Sequence, residues 1–287
     1  MRTAALPLQP DARLTPSAIG HAATLALYDE LSLSPKPGLV TLIDCGSHDD
    51  MDAHTFMRSL FSLRRYFVQI AEAGADGADF AVLERHGIAA EARMLAATRG
   101  INTHRGAIFM LGLLCASAGA ALREQHGPLH PAALRDALRR HWGDALARRS
   151  QRPSVLPGGI AARRLGLRSA SQEAALAFPV LFETALPALG DALARGLTPR
   201  QARLETLFRI IAVLDDSNLA HRGGLAGLRA AQRAAQGFLD RGGIARAGGL
   251  SHAQAITDDF VRQRLSPGGA ADTLAAACWI QRVCAAP

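Results

Sequence analysis

With 287 residues, 49% hydrophobic and 20% charged, the chain has enough apolar material for one large core and too much for a disordered polypeptide. A formal charge of +7 and a pI of about 10.2 permit nucleic-acid binding and suit a polyphosphate pocket equally well; aromatics at only 5% argue against a stacking platform for single-stranded nucleic acid, so nucleic acid is not an expected partner. Four dispersed cysteines (Cys45, Cys115, Cys278, Cys284) form neither a disulfide framework nor a zinc pattern; no stretch looks long and apolar enough for a bilayer, and MRTAALPLQPDARLTP lacks a signal peptide's apolar block. The expectation is a cytoplasmic protein with reduced thiols and no membrane association.

Apolar residues recur at three- and four-residue spacing, β-branched runs are nearly absent and no strand pattern emerges, so the expected class is all-α. Residues 1–15 read as a loosely ordered arm, and 17–31 as the first helix, with Pro16 beside a serine, Ser17, that can cap it. Helices follow over 52–73, 80–97 and 103–122. The last of these is a central buried helix, because Ile108, Met110, Leu111, Leu113, Leu114 and Cys115 cover more than one face. Residues 131–147 place Leu134, Leu138, Trp142 and Leu146 on one stripe, and SQRPSVLPGG, residues 150–159, is a loop. Further helices are expected over 171–194, 199–214, 225–239, 252–265 and 270–283. With no repeat, the simplest architecture is a single compact multi-helix domain over 1–287.

Five polar clusters interrupt this pattern at helix ends, where backbone amides and side chains can converge on a ligand. SLSPKPGLV holds Lys36, the only lysine, between two prolines, with Gly38 permitting close backbone approach. DCGSHDDMD crowds Asp44, His48, Asp49, Asp50 and Asp52 before a helix. Such carboxylates repel unless a cation such as Mg²⁺ neutralises them, although helix capping uses the same residues. GINTHRG puts Asn102 and Thr103 at the cap of the central helix and His104 and Arg105 in its first turn. A cation there opposes the helix dipole, so an anion should offset it, and exposed amides beside an arginine suit a phosphate. LDDSNLAHRGG ends an apolar helix in Asp215 and Asp216, followed by Asn218, His221 and Arg222. LSPGGAADTLA opens the last helix with Ser266, Gly268 and Gly269 and sets Asp272 one turn into an apolar face.

Taken together, SPKPGLV, GSHDDM, EARMLAAT, GINTHRGAIF, EAALAFPV, LDDSNLAHRGG and SPGGAADTLA resemble, in order, the triphosphoribosyl-dephospho-coenzyme A synthase family. These enzymes make the prosthetic-group precursor for the acyl carrier subunits of citrate lyase and malonate decarboxylase. Arg105 and EARMLAATRG resemble the malonate decarboxylase branch. In RRLGLRSASQEA, Leu165 and Ser171 stand where the family commonly has a tyrosine and an arginine, and Arg163, Arg164 and Arg168 are nearby cations.

The resemblance implies a helical fold and transfer of the 5-triphosphoribosyl group of ATP to the 2′-hydroxyl of 3′-dephospho-CoA, with release of adenine. It further implies Mg²⁺ on the triphosphate, held by Asp215 and Asp216 with Asp49 or Asp52. Lys36, Arg105 and Arg222 would supply positive charge, and Gly38, Asn102, Thr103, Asn218, Ser266, Gly268 and Gly269 would complete the nucleotide contacts. His104 or an aspartate such as Asp215 would be the general base, and His48 would help protonate adenine. The acyl carrier subunit of malonate decarboxylase is an indirect partner, and a homodimer is one assembly open to the chain. Two other readings compete: a Mg²⁺-dependent hydrolase of ADP-ribosyl or nucleotide bonds, and a non-catalytic helical protein binding an acyl carrier or nucleic acid through its arginines.

Overall fold

A computed structural model describes residues 14–124 and 127–284. The arm expected at the start lies outside the described residues except for Leu14 and Thr15, whose hydroxyl accepts the Ala18 amide at 3.2 Å and caps α1, Pro16–Leu31. Every regular element among the described residues is helical, as the apolar spacing requires. Asp52 caps α2, Ala53–Ala75, and Asp79 caps α3, Phe80–Ala97. The central helix is α4, Arg105–Glu124, which packs against α1, α2, α3, α5 (Pro131–Ser150) and α12 (Gly268–Val283).

Small residues let α2 and α4 approach backbone to backbone. A Cβ on Gly74 would fall 2.0 Å from the Ala116 carbonyl oxygen, and one on Gly119 would fall 2.0 Å from that of Ala71. Tyr66 spans the same interface, its buried hydroxyl donating to the Ile108 carbonyl at 2.9 Å. Contrary to the sequence expectation, α4 is long and apolar enough to cross a membrane. Those apolar side chains are buried against neighbouring helices instead, with Leu111, Leu114, Cys115 and Ala118 fully enclosed.

The second half departs from the expected boundaries. The loop expected over 150–159 already contains the start of α6, Pro157–Arg164, because proline is well suited to a first helical turn. The single helix expected over 171–194 is three elements. A capping box of Ser169 and Gln172 starts α7, Ala170–Ala175; Ala177 and Phe178 then take positive φ of 56° and 51°; a π-helical turn, Val180–Ala185, follows and runs into α8, Leu186–Ala194. Buried Glu173 ties this bend by accepting the Val180 amide at 2.8 Å. After α9, Pro199–Val213, residues 217–240 form α10, Ser217–Asp240, broken at Gly224 by a φ of 62°. A 3₁₀ turn, Gly243–Ala245, and α11, Gly249–Arg262, lead to α12, whose Trp279 donates to the Ile19 carbonyl of α1 at 3.1 Å and ties the two ends of the fold together.

Candidate active site

Four of the polar clusters meet beside the start of α12. Gly38, at φ 64°, lets the chain pass against the end of α11: a Cβ there would fall 1.9 Å from the Leu265 carbonyl oxygen. Ser47 donates to that same carbonyl at 2.6 Å. Arg222 reaches across from α10 to donate to the carbonyls of Ser47 at 3.0 Å and Arg264 at 3.2 Å and to His48 Nδ1 at 3.0 Å. A guanidinium can only donate, so His48 Nδ1 is the acceptor and Nε2–H donates to Ser266 Oγ at 2.9 Å. Burial and the Arg222 charge lower the His48 pKa to about 4, which keeps the ring neutral. His48 and Arg222 thus act as ties between loops.

The central helix begins with the cap the sequence suggests. Asn102 accepts the Arg105 amide at 3.2 Å, and Thr103 donates to Ser59 of α2 at 2.7 Å. Ser59 in turn bonds His104 Nδ1 at 2.6 Å, while the buried His104 Nε2 has no partner. Burial first, then the nearby Lys36 charge, lower the His104 pKa to about 3. Lys36 is buried, and its ammonium bonds the Glu30 carboxylate at 2.5 Å and the Glu30 carbonyl at 2.8 Å. Arg105 turns outward to Glu91 of α3, with nitrogens at 2.7 Å and 2.6 Å from one oxygen.

The group that rests on the first turn of α4 is the carboxyl of Asp272. A Cβ on Gly106 would lie 2.0 Å from Asp272 Oδ2, and the Ala107 amide donates to this carboxylate. Burial, then the charges of Glu30 and Asp216, push its carboxyl well above the usual range. Buried Asp216 joins two further helix starts: Oδ1 accepts the amides of Asn218 at 2.9 Å and Leu219 at 3.3 Å on α10, and Oδ2 accepts that of Ala270 at 2.9 Å on α12. Burial raises this carboxyl while the amides draw it back. Asp215, half-buried, accepts the Arg168 amide at 3.1 Å. The positive ends of α4, α10 and α12 therefore converge on one pocket, whose wall includes Gly106, Asp215, Asp216, Gly269 and Asp272, with Phe109 and Phe178 as apolar sides.

The comparison with known proteins spans nearly the whole chain. The sequence profile of the ATP:dephospho-CoA triphosphoribosyl transferase family matches residues 16–286. The chain belongs to this family. A relative from Citrobacter koseri, named a probable 2-(5''-triphosphoribosyl)-3'-dephosphocoenzyme-A synthase, is 38% identical over 257 residues, covering 87% of this chain and 85% of its own. No solved structure matches the chain.

Within this transferase-family fold the residues singled out in the sequence separate into two groups. Asp215, Asp216 and Gly269 are on the pocket wall. Gly268 and Asn218 flank it: a Cβ on Gly268 would fall 2.6 Å from Asn218 Nδ2. The rest stand apart from the wall: Lys36 and His104 are buried, His48, Arg222, Ser266 and Gly38 belong to the knot of loops, and Asn102, Thr103 and Arg105 bond within the protein.

The expected four-acid metal set does not assemble, since no group of three His, Cys, Asp or Glu side chains converges among the described residues. Asp49 pairs with Arg264 at 2.6 Å on the surface, and Asp52 caps α2 by accepting the Thr55 amide at 2.8 Å. The pair Asp215 and Asp216 still fits Mg²⁺, which keeps several waters and takes one or two carboxylates plus substrate phosphates. Glu30 and Ser59 were not anticipated, and nothing in a single sequence marks them; Glu91 and Glu173 open the stretches EARMLAAT and EAALAFPV but carried no assigned role. Asp272 did carry a signal, a lone acid in an apolar helical face.

Proposed function

We propose that the chain transfers the triphosphoribosyl group of ATP to the 2′-hydroxyl of 3′-dephospho-CoA, with adenine leaving, in the pocket between the starts of α4, α10 and α12. The observation that carries this reading is the convergence of three helix N-termini on a wall of acids. Positive helix ends favour a polyphosphate. Asp215 and Asp216 would hold Mg²⁺, which neutralises triphosphate charge when bound.

In the reaction, the bond from ribose C1′ to adenine breaks with its electron pair going to adenine, and a new bond forms between C1′ and the acceptor oxygen. The β-linked ribose of ATP becomes an α-linked sugar in the family's product, and this inversion at C1′ fits a single displacement through an oxocarbenium-like state. Asp272, held protonated by burial near Glu30 and Asp216, donates a proton to the departing adenine. The acceptor hydroxyl, made acidic as it bonds to C1′, releases its own proton to solvent, so one proton enters adenine and one leaves the acceptor. Phe109, Phe178 and Val180 give the sugar and base an apolar wall.

The product would serve the acyl carrier subunit of malonate decarboxylase. Support comes from NTHRG and EARMLAATRG, the stretches that resemble that branch, which the Arg105–Glu91 pair joins. The reading is tested by incubating the protein with ATP, Mg²⁺ and dephospho-CoA and following adenine by chromatography. Adenine release that requires the acceptor supports it. Release without the acceptor indicates hydrolysis, and no release indicates a binding protein; either overturns it. Product supplied to the apo carrier subunits of the two lyases, with the matching transferase, separates the malonate from the citrate branch.

A further inference from the structure

The wall of the pocket holds four acids, Glu173, Asp215, Asp216 and Asp272, and one cation, Arg168. Arg168 also lines a shallow groove beside the pocket, together with Ser150, Gly166, Leu167, Gln172 and Leu176. The chain around this groove has a marked charge bias. Between Asp144 and Glu173 it carries Arg148, Arg149, Arg152, Arg163, Arg164 and Arg168 and no acidic residue. Arg149 pairs with Glu84 and Arg168 with Glu173. The other four are exposed and, among the described residues, form no ion pair.

This basic segment is fixed to the pocket at two points. At the start of α6, Gly158 abuts Ser217, with a Cβ there falling 3.0 Å from Ser217 Oγ, and at its far end the Arg168 amide donates to Asp215. Ala161 and Ala162 of α6 are buried, which leaves Ile160, Arg163 and Arg164 on its outward face. Exposed Val155, Leu156 and Leu176 lie along the same segment. The surface next to the acidic pocket thus mixes unpaired guanidinium groups with apolar side chains.

We infer that the groove and its arginine arc are the binding subsite for the diphosphate of the acceptor nucleotide, with Arg168 at the junction with the catalytic pocket. This rests on the transfer reading above. An acceptor whose ribose hydroxyl reaches into the pocket must carry its 5′-diphosphate about one ribose away from it. Arg168 is the one basic side chain on the pocket wall, whose other members are acidic, apolar or small hydroxyl residues, so the diphosphate is drawn toward the arc. Guanidinium groups suit phosphate oxygens, and the apolar side chains suit the uncharged arm beyond the diphosphate. The Mg²⁺-neutralised triphosphate of the donor, by contrast, belongs with the acids.

The test is the double variant Arg163→Gln/Arg164→Gln, both exposed and outside the core, assayed for adenine release with each substrate varied in turn. The KM for dephospho-CoA rises about tenfold while that for ATP moves less than about twofold, and the salt dependence of the acceptor KM becomes shallower. A rise in the ATP KM instead, or no change in either, overturns the subsite. Equilibrium dialysis of dephospho-CoA without ATP provides a readout independent of turnover. If the wild-type protein releases no adenine, the transfer reading fails. Weaker acceptor binding by the variant still supports the subsite, and equal binding by both proteins removes it.

Discussion

Replacing Asp216 separates two roles that this carboxylate could play, because they predict opposite signs for stability. If it exists to hold helix starts together, its removal strands the amides of Asn218, Leu219 and Ala270, all of which it accepts in a buried setting. Loss of the α10 N-cap costs about 1 kcal/mol and the Ala270 amide left without a partner about 1–3 kcal/mol, so Asp216→Ala should lose about 2–4 kcal/mol. Asp216→Asn keeps an oxygen for the two α10 amides but turns an NH₂ toward the Ala270 amide, donor against donor, and should lose about 1–3 kcal/mol. A buried acid kept only to bind a ligand would behave differently. Burial raises its carboxyl, so removing it should leave the protein equally or more stable. Urea denaturation of the three proteins, compared at equal slope, measures the order. Wild-type stability in Asp216→Ala would refute the account of helix starts joined through this residue.

Further predictions concern the buried charges and the metal. Lys36→Met strands the Glu30 carboxylate and should destabilise by about 3–5 kcal/mol, while Lys36→Met/Glu30→Leu recovers much of the loss in the same denaturation assay. His48 and His104, at about 4 and about 3 against an unperturbed 6.5, are neutral when folded but protonated when unfolded over the intervening pH range. The unfolded state then binds more protons, so stability rises with pH up to about 6.5 and falls on acidification by about 1.4 kcal/mol per pH unit for each site. Denaturation midpoints at pH 5 and pH 7 measure this, and His48→Gln should flatten the slope. Asp49→Asn, on the surface with Arg264, should leave the Mg²⁺ concentration for half-maximal turnover unchanged, whereas Asp215→Asn should raise it several-fold in a Mg²⁺ titration of adenine release.

The helical class and most helix limits were legible because apolar spacing and capping residues act within a few residues of one another. Asp52 does locally what its position suggests, whereas the cap of α1 falls to Thr15 rather than to Ser17, two residues earlier than the sequence suggested. Not every error needs a distant group. The segment over 171–194 keeps helical apolar spacing, yet it bends at Ala177 and Phe178, directly before Pro179, which is a local break, and Glu173 takes the Val180 amide across the bend. The apolar length of α4 would serve a membrane as well as a core; packing against five other helices settles the matter.

The sequence by itself determined an all-helical protein of a recognisable family, with its polar residues gathered at helix ends. It could not say which charges face one another. Lys36 stood between prolines as a free phosphate contact and is buried on Glu30, Arg105 looked unopposed and meets Glu91, and Asp272 proved to be the carboxyl group resting on the central helix. The physical reason is range: capping and periodicity are written in residues three or four apart, whereas the partner of a buried charge is chosen by desolvation among groups that only the packed helices bring together.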